Sequence, residues 1–135
     1  MKIGEIARRV GIPIDTVRYY ERGGLLPPPP RRASGYREYD DGDIPRLRFI
    51  LRAKALGFTL VEIRELLDLS DEHAGSVGDL KLAVQAKLAD IEDRMAQLAK
   101  IRDALNSMIA ACPGDGSVIA CPIRSALFHD EVPAR

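Results

Sequence analysis

Two cysteines are the residues of this 135-residue chain with the clearest chemical potential, and the chain has no others. Cys112 and Cys121 are separated by eight residues that include the turn-forming run Pro113-Gly114-Asp115-Gly116. Because proline and glycine favour turns, this segment can fold back and bring the two sulfur atoms together. In a cytosolic protein, such a pair is more typical of metal ligands, redox-active thiols or small buried residues than of a structural disulfide.

Two thiolates with no imidazole nearby favour a soft metal ion and a low coordination number. Cu(I), Ag(I), Au(I) and Hg(II) can each accept two thiolates, whereas Zn(II) usually takes four ligands. With a monovalent ion the complex keeps one negative charge, which the start of a helix predicted to begin at Pro122 would stabilise. Asp115, His129 and Asp130 could complete a larger ligand shell. Oxidation of both thiols in response to an oxidant or electrophile is the alternative.

Catalysis is not indicated by the sequence. The cysteines lack the two-residue spacing of redox motifs, and with only His73 and His129 available no Ser/His/acid arrangement is evident. An iron–sulfur cluster held within one chain would need about four cysteines. We therefore predict a binding protein rather than an enzyme.

A long helix is predicted immediately before Cys112. Residues 77–111 contain no proline and one glycine, so a single helix of 35 residues is expected, about 50 Å long at ~1.5 Å per residue. Its apolar positions recur at intervals of three and four, which predicts a coiled coil and hence a homodimer. The alternative is a helix that folds back on its own head domain. The predicted seam consists of Val77, Leu80, Val84, Leu88, Ile91, Met95, Leu98, Ile101, Leu105 and Met108.

The other end of the chain predicts a DNA-binding head. Two short amphipathic helices, residues 3–10 and 14–22, flank a turn at Gly11, as in a helix-turn-helix. Residues 25–39 contain four consecutive prolines and several arginines, which indicates either a rigid wing or a solvated linker. As a wing, it would contact phosphates and sugars through Arg31, Arg32, Tyr36, Arg37 and Tyr39.

Two further helices complete the predicted head. Asp43 is expected to be the N-cap of a helix that runs through Leu56. Thr59 and Glu62 have the spacing of a capping box and begin the next helix. The buried stripe of this last helix is predicted to be Leu60, Ile63, Leu66 and Leu67.

Charge is distributed unevenly along the chain, although the formal net charge is zero. Residues 1–58 contain 12 Lys and Arg against 7 Asp and Glu, whereas residues 59–135 contain 8 against 13. A basic N-terminal half is typical of a phosphate-binding surface. No stretch is long and apolar enough for a membrane span or a secretory signal, so we expect a cytoplasmic protein without a membrane partner.

Taken in order, these motifs resemble those of the MerR family of metal-responsive transcription regulators, and the resemblance extends over nearly the whole chain. The matching features are the long helix, the cysteine loop, Ile63 and the stretches Ile3-Gly4-Glu5-Ile6-Ala7, Thr16-Val17-Arg18-Tyr19-Tyr20-Glu21, Gly24-Leu25-Leu26, Gly35-Tyr36-Arg37, Leu47-Arg48-Phe49-Ile50 and Leu56-Gly57-Phe58-Thr59-Leu60.

The resemblance implies an all-α fold with a small wing: a winged helix-turn-helix head, a long antiparallel coiled-coil dimerisation helix and a C-terminal metal-binding loop. It implies double-stranded promoter DNA and RNA polymerase as partners of a homodimer that activates a metal-resistance or efflux promoter by distorting it. Val17 and Tyr19 could instead belong to the core. The DNA-contacting residues implied are Thr16, Arg18, Tyr19 and Tyr20 in the recognition helix and Arg31, Arg32, Gly35, Tyr36 and Arg37 in the wing.

For the metal site, the resemblance implies that Cys112 and Cys121 are the ligands. Members that sense divalent ions resemble one another in having a further cysteine near the start of the long helix, where this chain reads Gly75-Ser76-Val77-Gly78-Asp79. That difference, together with the sequence Cys-Pro-Gly-Asp that begins at Cys112, favours the Cu(I)-sensing type, with Ag(I) or Au(I) as alternative ions. The eight-residue gap is closer to the loops of sensors for Hg, Zn, Cd or Pb.

The predicted domain organisation follows these motifs. Residues 1–69 form the DNA-binding head, 70–76 a linker, 77–111 the dimerisation helix, 112–128 the metal-binding loop with a short helix, and 129–135 a flexible tail.

Overall fold

The computed structural model describes residues 1–27 and 38–129, and within those ranges the chain is helical with no β-strand. The predicted all-α class is therefore confirmed, while the predicted wing falls mostly on residues 28–37, outside the described ranges. The chain divides into two compact units, Met1–Lys87 and Leu88–Arg135. The helices are α1 (Ile3–Val10), α2 (Ile14–Arg22), α3 (Asp43–Ala55), α4 (Leu60–Leu69), α5 (Val77–Ala111) and α6 (Pro122–Phe128).

Helices α1 and α2 form the predicted helix-turn-helix pair, with the predicted bounds. Gly11 ends α1 in the left-handed conformation, with φ +82°, and its N–H donates to the carbonyl oxygen of Ala7 at 2.8 Å. Because a side chain at this φ would be strained, glycine is the residue that allows so short a turn. α2 begins directly after Pro13.

The start of α4 is the predicted capping box. The Thr59 hydroxyl accepts the N–H of Glu62 at 3.2 Å, and the Glu62 carboxylate accepts the N–H of Thr59 at 2.8 Å. Two backbone donors that lack helical partners are thereby satisfied.

The start of α3 differs from the prediction. Asp43 is the first helical residue and not the N-cap, which is Gly42. Since glycine has no side chain to accept a hydrogen bond, Asp40 supplies one, and its carboxylate accepts the N–H of Asp43 at 3.2 Å. The Asp43 carboxylate in turn accepts the N–H of Asp40 at 3.0 Å. α3 also ends at Ala55, one residue before the predicted Leu56.

The core of the first unit is built from all four helices of the head and from the segments that flank the proline run. At the start of α5, Leu80 and Ala83 pack against this core. Of the predicted stripe of α4, Ile63 and Leu66 are buried and the other two leucines are partly buried. The buried residues are Ile6, Ala7, Val17, Tyr20, Leu25, Leu26, Tyr39, Leu47, Ile50, Ala53, Phe58, Ile63 and Leu66.

Side-chain hydrogen bonds hold the segment that follows α2. The Arg46 Nε donates to the carbonyl oxygen of Leu25 at 2.7 Å, and the Arg64 guanidinium donates to the carbonyl oxygen of Gly23. Gly24 has a φ of +75° and lies against the Arg64 guanidinium, so a larger residue there would disturb both the backbone and this contact. The chain therefore leaves the recognition helix in a fixed direction.

Helix α5 is one continuous helix of 35 residues, as predicted. Along it, seven seam residues are more than half exposed in the isolated chain: Val77, Val84, Leu88, Met95, Leu98, Ile101 and Leu105. Apolar side chains exposed at this spacing are typical of a helix that packs against another helix. Among the described helices, none combines the length and apolar composition of a membrane span.

Removal of the capping box should destabilise the head measurably. Thr59→Ala is expected to lower the free energy of unfolding by about 1 kcal/mol, because the Glu62 N–H loses the hydroxyl that accepts it. Urea denaturation followed by circular dichroism checks this. Thr59→Ser, which keeps the hydroxyl, should unfold close to the wild type, and equal stability of the alanine variant would contradict the assigned cap.

Candidate metal centre and nucleic-acid interface

The two cysteines lie next to each other in space. Cys112 follows the last residue of α5, and Cys121 is the N-cap of α6. Their Sγ atoms are 3.8 Å apart, both residues are partly buried, and both are free thiols. The folding-back that the turn residues predict is therefore observed.

The intervening loop is shaped by two glycines and a short helical turn. Gly114 and Gly116 have φ values of +83° and +94°, which favour glycine. A 3₁₀ turn at Val118–Ala120 follows, capped by Ser117, whose hydroxyl accepts the N–H of Ile119 at 3.3 Å. This turn was not predicted from the sequence, because three residues without a repeating pattern carry too weak a signal. The 3₁₀ turn places Cys121 at the start of α6.

Backbone donors at the start of α6 favour the charged form of Cys121. The N–H of Arg124, and to a smaller extent that of Ile123, lower the pKa of the Cys121 thiol below its ordinary value, with a further small effect of Cys112. Partial burial acts in the opposite direction but is outweighed by the Arg124 contribution. These donors stabilise the thiolate without forming a regular capping hydrogen bond. A thiolate is the form of cysteine that binds metals and attacks oxidants.

The sulfur pair fits a shared soft ion. At a metal–sulfur bond length of about 2.3 Å, two sulfurs bound to one ion can be at most about 4.6 Å apart, so the observed 3.8 Å is within reach. Within the described ranges no group of three or more His, Cys, Asp or Glu side chains is close enough to hold a metal. Asp115 and His129 thus do not join the cysteines in such a group, and Asp130 lies outside the described residues.

The recognition helix α2 divides into a buried and an exposed face. Arg18 is exposed, Tyr19 is 44% exposed and Thr16 is partly exposed, which leaves all three accessible for contacts with DNA. Val17 is fully buried. Of the two residues for which a core position was considered, Val17 is therefore in the core and Tyr19 is not.

Two tyrosines expected at the DNA surface lie in the core. Tyr20 is 1% exposed, and the ammonium of Lys54 lies 5.9 Å from the centroid of its ring. Tyr39 is also 1% exposed, and its hydroxyl donates to the carboxylate of Glu21. Both rings fill the space between the helices of the head, so a direct DNA contact by either does not fit the structure. The remaining wing residues, Arg31, Arg32, Gly35, Tyr36 and Arg37, lie outside the described ranges.

The lowered pKa of Cys121 predicts its reactivity. In Cys112→Ser, where Cys121 is the sole thiol, the pH midpoint of alkylation by iodoacetamide should lie below the ordinary thiol value of about 8.5. The reason is that the backbone donors of α6 stabilise the thiolate. Unfolding in guanidinium should raise the midpoint to the ordinary value; a midpoint that is the same in the folded and unfolded protein would contradict this electrostatic assignment.

The two faces of α2 should respond differently to truncation. Arg18→Ala is expected to weaken binding to operator DNA by roughly tenfold or more while leaving the unfolding free energy nearly unchanged. Tyr20→Ala should instead lower the free energy of unfolding by about 3 kcal/mol or more, through loss of core packing. Fluorescence anisotropy with labelled operator DNA and urea denaturation measure the two effects. Normal DNA affinity in a folded Arg18→Ala variant would contradict the assignment.

Comparison with known proteins agrees with this architecture. The family described as "MerR HTH family regulatory protein" matches residues 1–70, and the family described as "MerR, DNA binding" matches residues 44–108. The chain is 34% identical to a mercuric resistance operon regulatory protein of Serratia marcescens, over 98% of this chain and 91% of the relative. It is 36% identical to the HTH-type transcriptional regulator CueR of Salmonella typhi, over 91% of this chain and 88% of that protein.

A solved structure supports the same assignment. The transcription regulator PbrR691 from Ralstonia metallidurans CH34, in complex with lead(II), superposes with a TM-score of 0.86 at 35% identity. The match covers 94% of this chain and 98% of that one. With a helix-turn-helix head, a long helix and a terminal thiol pair in one chain, this protein belongs to the MerR family of metal-sensing transcription regulators, which bind DNA and are not enzymes.

Proposed function

We propose that the protein is a homodimeric transcription regulator that captures one soft metal ion between Cys112 and Cys121 and then activates a metal-resistance or efflux promoter. The observation that carries this proposal is the 3.8 Å separation of the two sulfur atoms at the end of α5.

The dimer is supported by the apolar side chains of α5. Leu88, Met95, Leu98, Ile101 and Leu105 are each between 53% and 63% exposed in the single chain. A second copy of α5, packed antiparallel against the first, would cover these residues. The homodimer is therefore the arrangement that removes this apolar surface from water.

Promoter DNA is supported by the charge and exposure of the head. The N-terminal part of the chain has an excess of basic residues, and Arg18 projects from the recognition helix into solvent. In a helix-turn-helix, the second helix enters the major groove, where arginine reads base edges or phosphates. Thr16 and Tyr19 remain accessible on the same helix. A dimer would place two such helices on two half-sites.

For the ion, the thiol pair supports Cu(I), with Ag(I) and Au(I) as chemically similar alternatives. Two thiolates suffice for a monovalent soft ion, and no third ligand joins them among the described residues. The complex of a monovalent ion with two thiolates is an anion. The N–H groups that lower the pKa of Cys121 would stabilise that anion, whereas they would add less to a neutral complex of a divalent ion.

Hg(II) or Pb(II) is a second candidate, favoured by the relatives. The similar Serratia marcescens protein is named for mercuric resistance, and the similar PbrR691 structure contains lead(II). Hg(II) also accepts two thiolates, so the same cysteines would hold it. Zn(II) is less suited, because it usually takes four ligands.

The switch requires that metal binding favours one conformation of the dimer over another, because a ligand shifts an equilibrium only through differential affinity. We propose that the metal-bound dimer bends and untwists a promoter whose polymerase-binding elements are poorly aligned, and that RNA polymerase then engages it. Such deformation costs a few kcal/mol, which phosphate contacts from both heads would supply. Sensing of an oxidant by disulfide formation between the same thiols would use this switch without a metal.

A metal panel tests the proposal. Transcription from the cognate promoter is measured with purified protein and polymerase, with Cu(I), Ag(I), Hg(II), Pb(II) and Zn(II) each added alone. We expect Cu(I) and Ag(I) to activate at the lowest free concentrations, and Cys112→Ser and Cys121→Ser each to lose at least 90% of the response, roughly a tenfold change.

Ser107→Ala is a matched control, because it removes an exposed hydroxyl near the end of α5 without removing a thiol or the Ser117 cap of the loop. Activation by Hg(II) or Pb(II) in preference to Cu(I) would support the second candidate. Activation by hydrogen peroxide with no response to any ion would support the redox alternative. A full metal response in the variant that lacks both thiols would refute the proposal.

A further inference from the structure

Lys87 is the only buried charged residue in the part of the chain that the structure describes, with 6% of its surface exposed. It lies about three turns into α5, where the helix still belongs to the same compact unit as the head. Lysine is almost never fully buried unless it is paired. Its position therefore calls for a specific explanation.

Lys87 contacts the turn between α3 and α4 and the first turn of α4. Its ammonium lies 2.8 Å from the Oε1 atom of Glu62 and 5.5 Å from the centroid of the Phe58 ring. The same Oε1 atom accepts the N–H of Thr59 in the capping box. One carboxylate oxygen thus joins α5 to the first residues of α4. The hydrogen bond that the Lys87 ammonium donates is also the largest cause that lowers the pKa of Glu62, followed by the backbone hydrogen bond of Thr59.

Stability alone does not account for a charge at this position. The start of α5 already packs against the core through Leu80 and Ala83. Although Lys87 is buried, Glu62 is 38% exposed, and an ion pair with an exposed partner contributes little to stability. The ion pair adds a fixed orientation of α5 relative to α4. Apolar contact tolerates sliding and rotation, whereas an ammonium bound to one carboxylate oxygen fixes the rotation of α5 about its own axis.

We propose that Lys87 is a positioning residue of the metal response: its bond to Glu62 fixes the first turns of α5 on the head and so sets the balance between metal-free and metal-bound conformations. This inference rests on the proposed function. These turns connect α5 to the head of the same chain, so a change that metal binding causes in α5 can reach the head through them. Loss of the bond would leave the metal site and the recognition helix intact but weaken the coupling between them.

The principal variant is Lys87→Met, which keeps most of the side-chain volume and removes the charge. Lys81→Met is the matched control, because Lys81 lies on the same helix but is exposed. Glu62→Gln removes the carboxylate while glutamine can still complete the capping box. Three measurements are made on the full-length dimer: hydrogen exchange of amides 77–87, affinity for operator DNA, and the ratio of metal-induced to metal-free transcription with Hg(II) and Cu(I) added separately.

In Lys87→Met we expect amides 77–87 to exchange at least about fivefold faster and the transcription ratio to fall at least about fivefold, with operator affinity within about threefold of the wild type. Lys81→Met should match the wild type in all three. Lys87→Met combined with Glu62→Gln should be no worse than Lys87→Met alone, because Lys87→Met already removes the ion pair with Glu62. Lys87→Arg, which keeps a charge, should retain more than half of the transcription ratio.

An unchanged transcription ratio in folded Lys87→Met would overturn the inference, even if exchange became faster, since the contact would then be only structural. Additive effects of Lys87→Met and Glu62→Gln would also overturn it. If Lys87→Met does not fold, Glu62→Gln and Lys87→Arg decide by the same criteria. If the wild type responds to neither ion, the proposed function fails instead. Unchanged exchange of amides 77–87 in Lys87→Met would, independently of any metal response, refute the role of the Lys87–Glu62 contact in fixing the first turns of α5.

Discussion

The exposed apolar face of α5 is the constraint on which the rest of the protein depends. A single helix of 35 residues with a row of half-exposed leucine, isoleucine and methionine side chains gains little stability alone in water. This exposed face imposes two requirements on the structure. The beginning of the helix must be attached to the head, and the remainder must find another apolar surface.

The head meets the first requirement with two kinds of contact. Leu80 and Ala83 pack against its core, and Lys87 pairs with Glu62. Apolar packing supplies most of the free energy and the ion pair supplies the direction. Glu62 serves two purposes at once, since it also caps α4 together with Thr59. A substitution at Glu62 would therefore affect both a helix start and the attachment of α5.

At its other end, α5 delivers Cys112 to a loop that returns at the start of α6. The chemistry of the site depends on this return, because the N-terminus of a helix offers free N–H groups to a thiolate. The thiol of Cys121 lies at these N–H groups, and its Sγ atom is 3.8 Å from that of Cys112. The N–H groups favour the thiolate of Cys121, which is the form that would bind a metal ion and also the form that would react with an oxidant. The proposed metal sensing and its redox alternative would therefore compete for the same thiol pair.

Local patterns in the sequence determined the helices, the capping box at Thr59 and the folding-back of the cysteine loop, because each depends on residues close together in the chain. The bounds of α1, α2, α5 and α6 follow from proline, glycine and apolar spacing alone. Only the tertiary structure decided which side chains are buried. In the sequence, Tyr20 and Tyr39 look like surface residues of a basic segment, yet packing between helices places both in the core. Lys87 looks like a solvated charge, yet it is buried and paired with Glu62. Contacts between residues distant in sequence cannot be read from local spacing, which is the physical reason for each of these differences.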